Sequence, residues 1–228
     1  MVIGAVALNH HVPLERSTED VDFVIVAEEA ETAALLRSLH WDPDAHQQHR
    51  WRDRHRNAVD VVPATSEVIA AGTVTLERDE RVLSTVGFDL ALEHATPVAI
   101  PGTDGIVEVA SLAAIVVLKM VAWLDRPHER ERDVRDLGRV FEAALDDWDE
   151  RRWQAPLADL EHEVQAAFFV GQQVRRIIRA AHRVEVERFV QRVATDAWLD
   201  ILGAGGLVCT DPELVAQRRL AAFRRGLG

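Results

Sequence analysis

The sequence predicts an α+β protein with two domains, the first of mixed strands and helices and the second wholly helical. Apolar runs typical of strands alternate with helical patterns in the first half of the chain, and helical patterns alone follow residue 146. The length of 228 residues is enough for one mixed domain and a smaller helical companion. We therefore predict domains at residues 1–145 and 146–228.

The first domain is predicted to contain short strands separated by helices. A strand fragment and a helical turn open the chain in VIGAVALNHHV, and a buried strand follows in DVDFVIV. Glutamates crowd the first turn of the helical segment EEAETAALLRSLHW, where the helix dipole favours them. The remaining predictions are an antiparallel pair in HRWRDRH and NAVDVVPA, two short strands in PVAIPGTDGIVEVAS, and helices over 112–123 and 130–145. Residues 65–98 are too weakly patterned for a prediction.

The second domain is predicted to be a set of helices in LADLEHEVQAAFFVGQQVRRIIRAA, RVEVERFVQRVATDAWLDIL and DPELVAQRRLAAFRRGL. Gly171 is expected to break or bend the first of them, because glycine weakens a helix interior. Asp211 as N-cap and Pro212 at the first helical position mark the start of the last. The segment LGAGGLV lacks the Lys-Ser/Thr ending of a phosphate loop, and we expect an ordinary loop there.

The composition excludes several classes of protein. The formal net charge of -12 argues against a broad nucleic-acid-binding surface, although a local basic patch is compatible with it. No apolar run approaches the roughly 18 to 20 residues that a membrane span requires, so we expect no membrane association. The single cysteine, Cys209, cannot form an internal disulfide, and no basic leader with an apolar core opens the chain. We therefore expect a cytoplasmic protein.

Three aspartates interrupt apolar strands. Asp20 and Asp22 are two residues apart, so their side chains share one face of the predicted strand, and Asp60 lies in a second strand in AVDVV. Like charges held this close repel unless a cation lies between them, and hard oxygen ligands suit Mg²⁺. Three such aspartates on adjacent strands could hold two Mg²⁺ ions about 3.5 to 4 Å apart. The alternative is that Asp20 and Asp22 face water on an edge strand and discourage aggregation.

Lys119 is the only lysine among 26 cationic side chains, and it lies in the apolar segment SLAAIVVLKMVAWLDR. A compact ammonium suits triphosphate binding as a point contact. The alternative is that the ammonium extends to the surface from an apolar helix. On the next predicted helix, we expect Asp133 and Asp136 to form structural ion pairs on a solvated face with Arg130, Arg132 and Arg139.

The order of these motifs resembles that of the nucleotidyltransferases of the DNA polymerase β superfamily, and within it the AbiEii/AbiGii-type toxins of bacterial toxin–antitoxin systems. The resemblance rests on GAVALNHHVPLERSTEDVDFVI, VDVV and LKMVAWLDRPHERERDVRDL, and it covers residues 1 to about 140. The superfamily has a glycine with a small partner, then D-x-D on a strand, then a third acidic residue on a later strand. The toxin branch adds Arg-x-Thr, matched by Arg16, Ser17 and Thr18. It also adds a helical lysine followed by an arginine and a tract of acidic and basic residues, matched by Lys119, Arg126, Asp133 and Asp136.

The resemblance implies a small mixed sheet of the nucleotidyltransferase fold flanked by helices. It also implies transfer of a nucleoside monophosphate from an NTP, with Mg²⁺ as cofactor and release of pyrophosphate. By position, it implies catalytic and metal-binding roles for Asp20, Asp22 and Asp60. It implies nucleotide-binding roles for Gly4, Ala5, Arg16, Thr18 and Lys119. The family often has serine or glycine where Ala5 stands. It normally has a helix and most of a strand before the glycine, so we expect either a misplaced start codon or a shortened copy without the usual first helix.

The acceptor and the partners are less defined. The resemblance implies an antitoxin as protein partner and an acceptor such as RNA, for example tRNA. In HRWRDRHR a basic strand face could guide RNA while Trp51 stacks on a base, the arginines being Arg50, Arg52, Arg54 and Arg56. A solvated edge face is the alternative for this segment. Two other functions stay open for the chain: transfer to a small molecule such as an aminoglycoside, and a noncatalytic member that binds nucleotide or a partner protein.

Overall fold

The computed structural model describes residues 1–14, 16–18, 20–76, 81–195, 198–205 and 211–228, so Cys209 lies outside the described residues. The described residues have the α+β fold that the sequence predicts, and they divide into two compact units. Unit 1 comprises Met1–His10 and Glu15–Ile115, and unit 2 comprises His11–Leu14 and Val116–Gly228. The predicted domain boundary near residue 146 lies within unit 2. Whether residues 1–145 and 146–228 are separate domains stays a prediction.

Unit 1 is built on a mixed sheet. Its strands in chain order are Val2–Ile3 (β1), Asp20–Ile25 (β2), Asp42–Pro43 (β3), Arg50–Arg52 (β4), Ala58–Pro63 (β5), Thr73–Leu76 (β6), Arg81–Ser84 (β7), Thr96–Ala99 (β8) and Ile106–Val109 (β9). Among the described residues, seven of these strands form one sheet in the order β3-β4-β5-β2-β1-β9-β8, and β6 pairs with β7 apart from it. Strand β2 is interior, parallel to β5 and antiparallel to β1. The edge-strand interpretation of Asp20 and Asp22 is therefore excluded.

The helices of unit 1 follow the predicted order. They are Gly4–His11 (α1), Glu29–Ser38 (α2), Ser66–Ala71 (α3), Phe88–Glu93 (α4) and the start of Leu112–Asp125 (α5). Helix α3, the β6–β7 hairpin and α4 fill the segment for which the sequence allowed no prediction. Thr65 caps α3 by accepting a hydrogen bond from the Val68 amide, and Gly72 ends the helix in the left-handed conformation with φ 76°.

The β4–β5 hairpin separates a core face from a polar face. Trp51 is 6% exposed and packs with Leu36, Val59 and Val61, so it cannot stack on an RNA base as the sequence suggested. The prediction failed because successive side chains on a strand point to opposite faces, and the face of Trp51 is the buried one. The turn after β4 is held by the Asp53 carboxylate, which accepts hydrogen bonds from the amides of His55 and Asn57.

The described residues of unit 2 contain the rest of α5 and five further α-helices. These are Glu131–Ala143 (α6), His162–Ile177 (α7), Ala180–Thr195 (α8), Trp198–Gly203 (α9) and Pro212–Leu227 (α10). Asp211 caps α10 as predicted, because its carboxylate accepts a hydrogen bond from the Leu214 amide at 3.0 Å. The segment LGAGGLV begins as the end of α9, so the expectation of a loop is wrong for Leu202 and Gly203, and its residues from 206 onward lie outside the described residues.

Helix α7 is continuous through Gly171, so the predicted break is wrong. A Cβ at this position would overlap the carbonyl oxygen of Phe223 in α10. The glycine therefore allows two helices to approach closely instead of ending one of them. Elsewhere in unit 2, the buried Trp123 ring lies edge-on to Phe189, with 5.2 Å between ring centroids. Within the described ranges, every helix falls short of the length and apolarity that crossing a membrane requires.

Candidate active site

The three predicted aspartates lie on one face of the sheet in unit 1. Asp22 and Asp60 are register partners on the parallel strands β2 and β5, and Asp20 lies two residues before Asp22. Register partners and residues two apart project to the same side of a sheet. Asp60 is 8% exposed, and the other two aspartates are half-buried. This aspartate face, defined here as Asp20, Asp22 and Asp60, has the placement that the sequence predicted, while its catalytic role stays a prediction.

Arg50 is bound to the aspartate face, which the sequence did not predict. It is the register partner of Asp60 across the antiparallel β4–β5 pair. Its Nε donates to Asp60 Oδ1 at 2.7 Å and its Nη2 donates to Asp60 Oδ2 at 2.8 Å, in the bidentate geometry typical of arginine and carboxylate. The same Nη2 donates to Asp20 Oδ2 at 2.8 Å. One guanidinium thus connects two of the three aspartates.

The electrostatics of this contact are those of a strong ion pair. The pKa of the Arg50 guanidinium is raised, chiefly by its side-chain hydrogen bond to Asp60 and further by the charges of Asp60 and Asp20, against the effect of burial. The imidazole of His49 also lies near this carboxylate, with 3.6 Å between its Nε2 and Asp60 Oδ2. The ion pair therefore favours the charged form of Arg50.

Gly4 lies against the third aspartate. It has φ 68°, a conformation that favours glycine, and it starts α1 directly after β1. A Cβ at Gly4 would overlap the carboxylate of Asp22. The glycine is therefore required both by its conformation and by the space that Asp22 uses. Its neighbour Ala5 is buried, and the nucleotide-binding roles of both residues stay predictions.

The segment before β2 contacts Asp20. The Thr18 hydroxyl makes hydrogen bonds to the backbone carbonyl and to the carboxylate of Asp20, at 3.1 and 3.3 Å. This contact positions Asp20, and it shows a structural role for a residue that the resemblance assigns to the nucleotide. Arg16 is half-buried. The nucleotide-binding roles of Thr18 and Arg16 stay predictions.

Lys119 belongs to unit 2, where it forms a buried ion triad with Asp133 and Asp136. Its ammonium is 2.7 Å from Asp133 Oδ1 and 2.8 Å from Asp136 Oδ2, and the residue is only 6% exposed. Burial alone would lower the pKa of Lys119, but the charges of Asp133 and Asp136 outweigh burial and raise the pKa. The ammonium does not extend to the surface, so the alternative of a surface-reaching lysine is excluded. Its triphosphate-binding role stays a prediction.

The prediction that Asp133 and Asp136 lie on a solvated helix face is wrong. Both are buried, at 8% and 3% exposed, because the apolar side of α6 includes their positions. The predicted ion pair of Arg130 with Asp133 is present, with 3.8 Å between Arg130 Nη1 and Asp133 Oδ2. This distance is longer than the 2.7 Å between Lys119 Nζ and Asp133 Oδ1. The signal for the triad was present in the sequence as one isolated lysine in an apolar helix, followed by two aspartates three residues apart.

The aspartate face has the donor chemistry that Mg²⁺ requires, although its oxygens now bind a protein cation. Within the part of the chain that the structure describes, no group of three or more His, Cys, Asp or Glu side chains is arranged as a set of metal ligands. Carboxylate oxygens are nevertheless the preferred protein ligands of Mg²⁺, and those of Asp20 and Asp60 converge on one cationic nitrogen of Arg50. The donor chemistry of Asp20 and Asp60 therefore suits Mg²⁺, and the metal-binding role of Asp20, Asp22 and Asp60 stays a prediction.

The mixed sheet, the D-x-D strand beside a third aspartate, and the glycine that starts a helix together define a protein with a nucleotidyltransferase-like fold. The family model described as nucleotidyl transferase AbiEii toxin, type IV TA system, matches residues 1–204 of the chain. The chain therefore belongs to the AbiEii family of nucleotidyl transferase toxins, and the resemblance read from the sequence is confirmed. No curated protein and no solved structure matches it.

The sequence offered Arg50 as an RNA contact, a role that stays a prediction, and missed its ion pairs with Asp20 and Asp60. The alternation of Arg50 with Trp51 correctly predicts that the two side chains point to opposite faces. The missing information was the pairing register of β4 with β5, which places Arg50 opposite Asp60. The turn residues Asp53 and Asn57, which are themselves joined by side-chain hydrogen bonds, were the available signal for that register.

Proposed function

We propose that this chain is the Mg²⁺-dependent toxin of a toxin–antitoxin system and transfers a nucleoside monophosphate from an NTP to RNA, such as tRNA. Membership of the AbiEii family supports the nucleotidyl transferase and toxin parts of this proposal and implies a cognate antitoxin as partner. The observation that carries the chemistry is the gathering of Asp20, Asp22 and Asp60 on one face of two adjacent strands. NTPs and tRNA are cytoplasmic substrates, so we place its action in the cytoplasm.

The proposed roles follow from where each side chain lies. Bound Mg²⁺ would supply the positive charge that neutralises the triphosphate and the leaving pyrophosphate. The aspartate face would bind the metal, and Asp60, its most buried member, would accept the proton of the attacking acceptor hydroxyl at a carboxylate oxygen. Thr18 positions Asp20 through its two hydrogen bonds, and Gly4 leaves the space in which the Asp22 carboxylate lies.

Labelling of RNA tests the proposal directly. The full chain is incubated with each of the four α-labelled NTPs, Mg²⁺ and total cell RNA. We expect label in RNA with the wild type, and a loss of about 10²-fold or more with Asp22→Asn, because a charged group essential to the reaction is removed. The matched control is Asp104→Asn, which removes an exposed carboxylate from the turn between β8 and β9 and should label RNA like the wild type.

The outcomes separate the possible acceptors. Equal labelling by the wild type and Asp22→Asn, or no labelling by either, would contradict transfer to RNA by this site. Label in a small-molecule fraction of a cell extract, lost in Asp22→Asn, would replace RNA by a small-molecule acceptor and keep the chemistry.

A noncatalytic, nucleotide-binding member is the second candidate function. One observation favours it: Arg50 already neutralises part of the aspartate face. A fluorescent NTP that binds the wild type with no transfer to any acceptor would support this candidate, whereas measurable transfer by the wild type would exclude it.

The acceptor surface is proposed to include Arg52 and Arg54, next to the aspartate face on the β4–β5 hairpin. Arg52 is partly exposed and Arg54 is exposed, whereas Arg50 is committed to carboxylates. Arg54→Gln should weaken RNA binding and reduce the slope of log affinity against log salt by about 1, the amount expected for one phosphate contact. Arg132→Gln removes an exposed arginine from α6 and is the control; equal slopes for both variants and the wild type would remove Arg54 from the acceptor surface.

A further inference from the structure

Arg50 uses the same oxygens that a metal would need. Its Nη2 is 2.8 Å from Asp20 Oδ2 and 2.8 Å from Asp60 Oδ2, and its Nε is 2.7 Å from Asp60 Oδ1. Both oxygens of Asp60 are therefore engaged, together with one oxygen of Asp20. Arg50 takes lone pairs of these oxygens that a metal would use, and a guanidinium and a divalent cation a few ångströms apart repel each other.

Strand pairing holds the backbone of Arg50, whereas its side chain is partly exposed to solvent. Strand β4 pairs with β3 on one side and β5 on the other, and the adjacent Trp51 is anchored in the core of unit 1. The side chain of Arg50 is 23% exposed, so it reaches solvent along part of its length. Displacement of the side chain would therefore proceed through a change of its rotamers, with the strand kept in place by its pairing.

The charges on this face favour exchange of one cation for another. Three carboxylates and one guanidinium leave a net charge of -2 on this cluster of four side chains. Removing Arg50 without a replacement would take from Asp20 and Asp60 the cation that they share, which like-charge repulsion disfavours. A divalent cation restores the balance, so arrival of metal and departure of Arg50 are coupled.

We propose that Arg50 is the resident counter-ion of the aspartate face and competes with divalent metal for Asp20 and Asp60, so that metal binding displaces its side chain. This inference rests on the metal-binding part of the proposed function. Arg50 acts in it as a positioning residue: it holds two carboxylates in place before metal arrives, and it weakens binding of free metal ion. The proposal therefore gives Arg50 opposite effects on two measurable quantities, the stability of the metal-free protein and the affinity for metal.

The test is calorimetric titration of Mn²⁺ into the full chain after removal of metal with EDTA and dialysis, together with thermal unfolding in EDTA and in Mn²⁺. Arg50→Gln keeps a polar side chain and removes the charge. We expect Mn²⁺ to bind it at least about tenfold more tightly than the wild type. We also expect a lower unfolding temperature in EDTA and a larger increase on adding Mn²⁺. A residue with a purely structural role would lower the unfolding temperature and would not tighten metal binding.

Two further variants make the result specific. Arg37→Gln removes the same charge from an exposed position of α2 in unit 1, and it should bind Mn²⁺ like the wild type. Arg50→Lys keeps one charge but cannot form the bidentate contact, so its affinity for Mn²⁺ should lie between those of the wild type and Arg50→Gln. If Arg50→Gln does not fold in EDTA, the proposal is tested by whether Arg50→Lys binds Mn²⁺ more tightly than the wild type does.

The outcomes distinguish this inference from the function on which it rests. Mn²⁺ affinity in the folded Arg50 variants that equals or falls below that of the wild type overturns the competition, while RNA labelling that depends on Asp22 would leave the proposed function standing. Absence of Mn²⁺ binding in the wild type and in all Arg50 variants overturns both the competition and the metal requirement.

Discussion

Lys119 and Asp136 form a buried ion pair in unit 2, with 2.8 Å between Nζ and Oδ2. Asp133 completes the triad from the same helix, so that one cation faces two carboxylates in the packing of α5 against α6. The lysine of this triad is the only one among the 26 lysine and arginine side chains of the sequence. A compact ammonium with rotatable donors fits between two carboxylates where a planar guanidinium would require more space.

Lys119→Met should destabilise the protein strongly. The substitution leaves two buried carboxylates without the cation that neutralises them, and breaking a buried ion pair from one side costs about 3–5 kcal/mol. Urea unfolding followed by circular dichroism measures the change in the free energy of unfolding. The control is Arg132→Met on the exposed side of α6, which should change that free energy by less than about 0.5 kcal/mol. A similar effect of the two substitutions would show that the triad contributes little.

The contribution of the triad should depend on pH only in the alkaline range. The usual pKa of lysine is 10.5 and that of Lys119 is raised in the folded protein, because Asp133 and Asp136 outweigh burial. A raised pKa means that the folded state holds its proton more tightly, so the stabilisation is complete below pH 10.5 and is lost as pH rises through the folded value. The difference in unfolding free energy between the wild type and Lys119→Met should stay constant from about pH 8 to pH 10 and then shrink. A decrease already between pH 8 and pH 9 would contradict the raised pKa.

Gly4→Ala should reduce nucleotidyl transfer more than it reduces stability. The new Cβ would overlap the Asp22 carboxylate, and the alanine backbone would have to adopt a positive φ. These two effects together should lower the free energy of unfolding by about 1–3 kcal/mol. Movement of Asp22 should lower RNA labelling by about 10²-fold, as expected when a reacting group is misplaced. Gly102→Ala also requires a positive φ but meets nothing within 4 Å, so it should lose stability alone and keep its labelling activity. Retained activity in Gly4→Ala would separate Asp22 from the reaction.

Gly171→Ala should destabilise the protein although alanine favours helices. Alanine gains about 1 kcal/mol of helix propensity over glycine, but its Cβ would overlap the Phe223 carbonyl oxygen of α10, and overpacking costs about 1–3 kcal/mol. Thermal unfolding should show a lower midpoint with no loss of helical circular dichroism at 25 °C. Arg176→Ala, at an exposed position of the same helix, is the control and should leave the midpoint nearly unchanged. A higher thermal unfolding midpoint in Gly171→Ala would mean that α7 and α10 can move apart with no loss of stability.

The strands and helices were largely predictable because they depend on local pattern. The β-branched and aromatic run in DVDFVIV and the apolar residues of AVDVV predicted β2 and β5, and the apolar run before Lys119 predicted α5. The D-x-D spacing likewise predicted that Asp20 and Asp22 share a face. These features need only the periods of a strand and of a helix, which are properties of a short stretch of chain.

Contacts between elements were not predictable in the same way. The pairing of Arg50 with Asp60 depends on strand register, and that of Lys119 with Asp133 depends on how two helices pack. Gly171 shows the same difference: its local propensity favours a break, but its tertiary surroundings require a residue without a side chain in a continuous helix. Tertiary packing overrode local preference at this position.

The burial of Lys119 gives the molecule an unusual chemical property. The chain has one side-chain amine, and an amine attacks an acylating reagent only in its uncharged, accessible form. Lys119 is 6% exposed and its ammonium lies between two carboxylates, so in the folded protein the amine is neither uncharged nor accessible. Acylation at Lys119 should therefore proceed only in molecules in which α5 and α6 have separated, so its rate would report local opening of unit 2 in a chain that needs no added label.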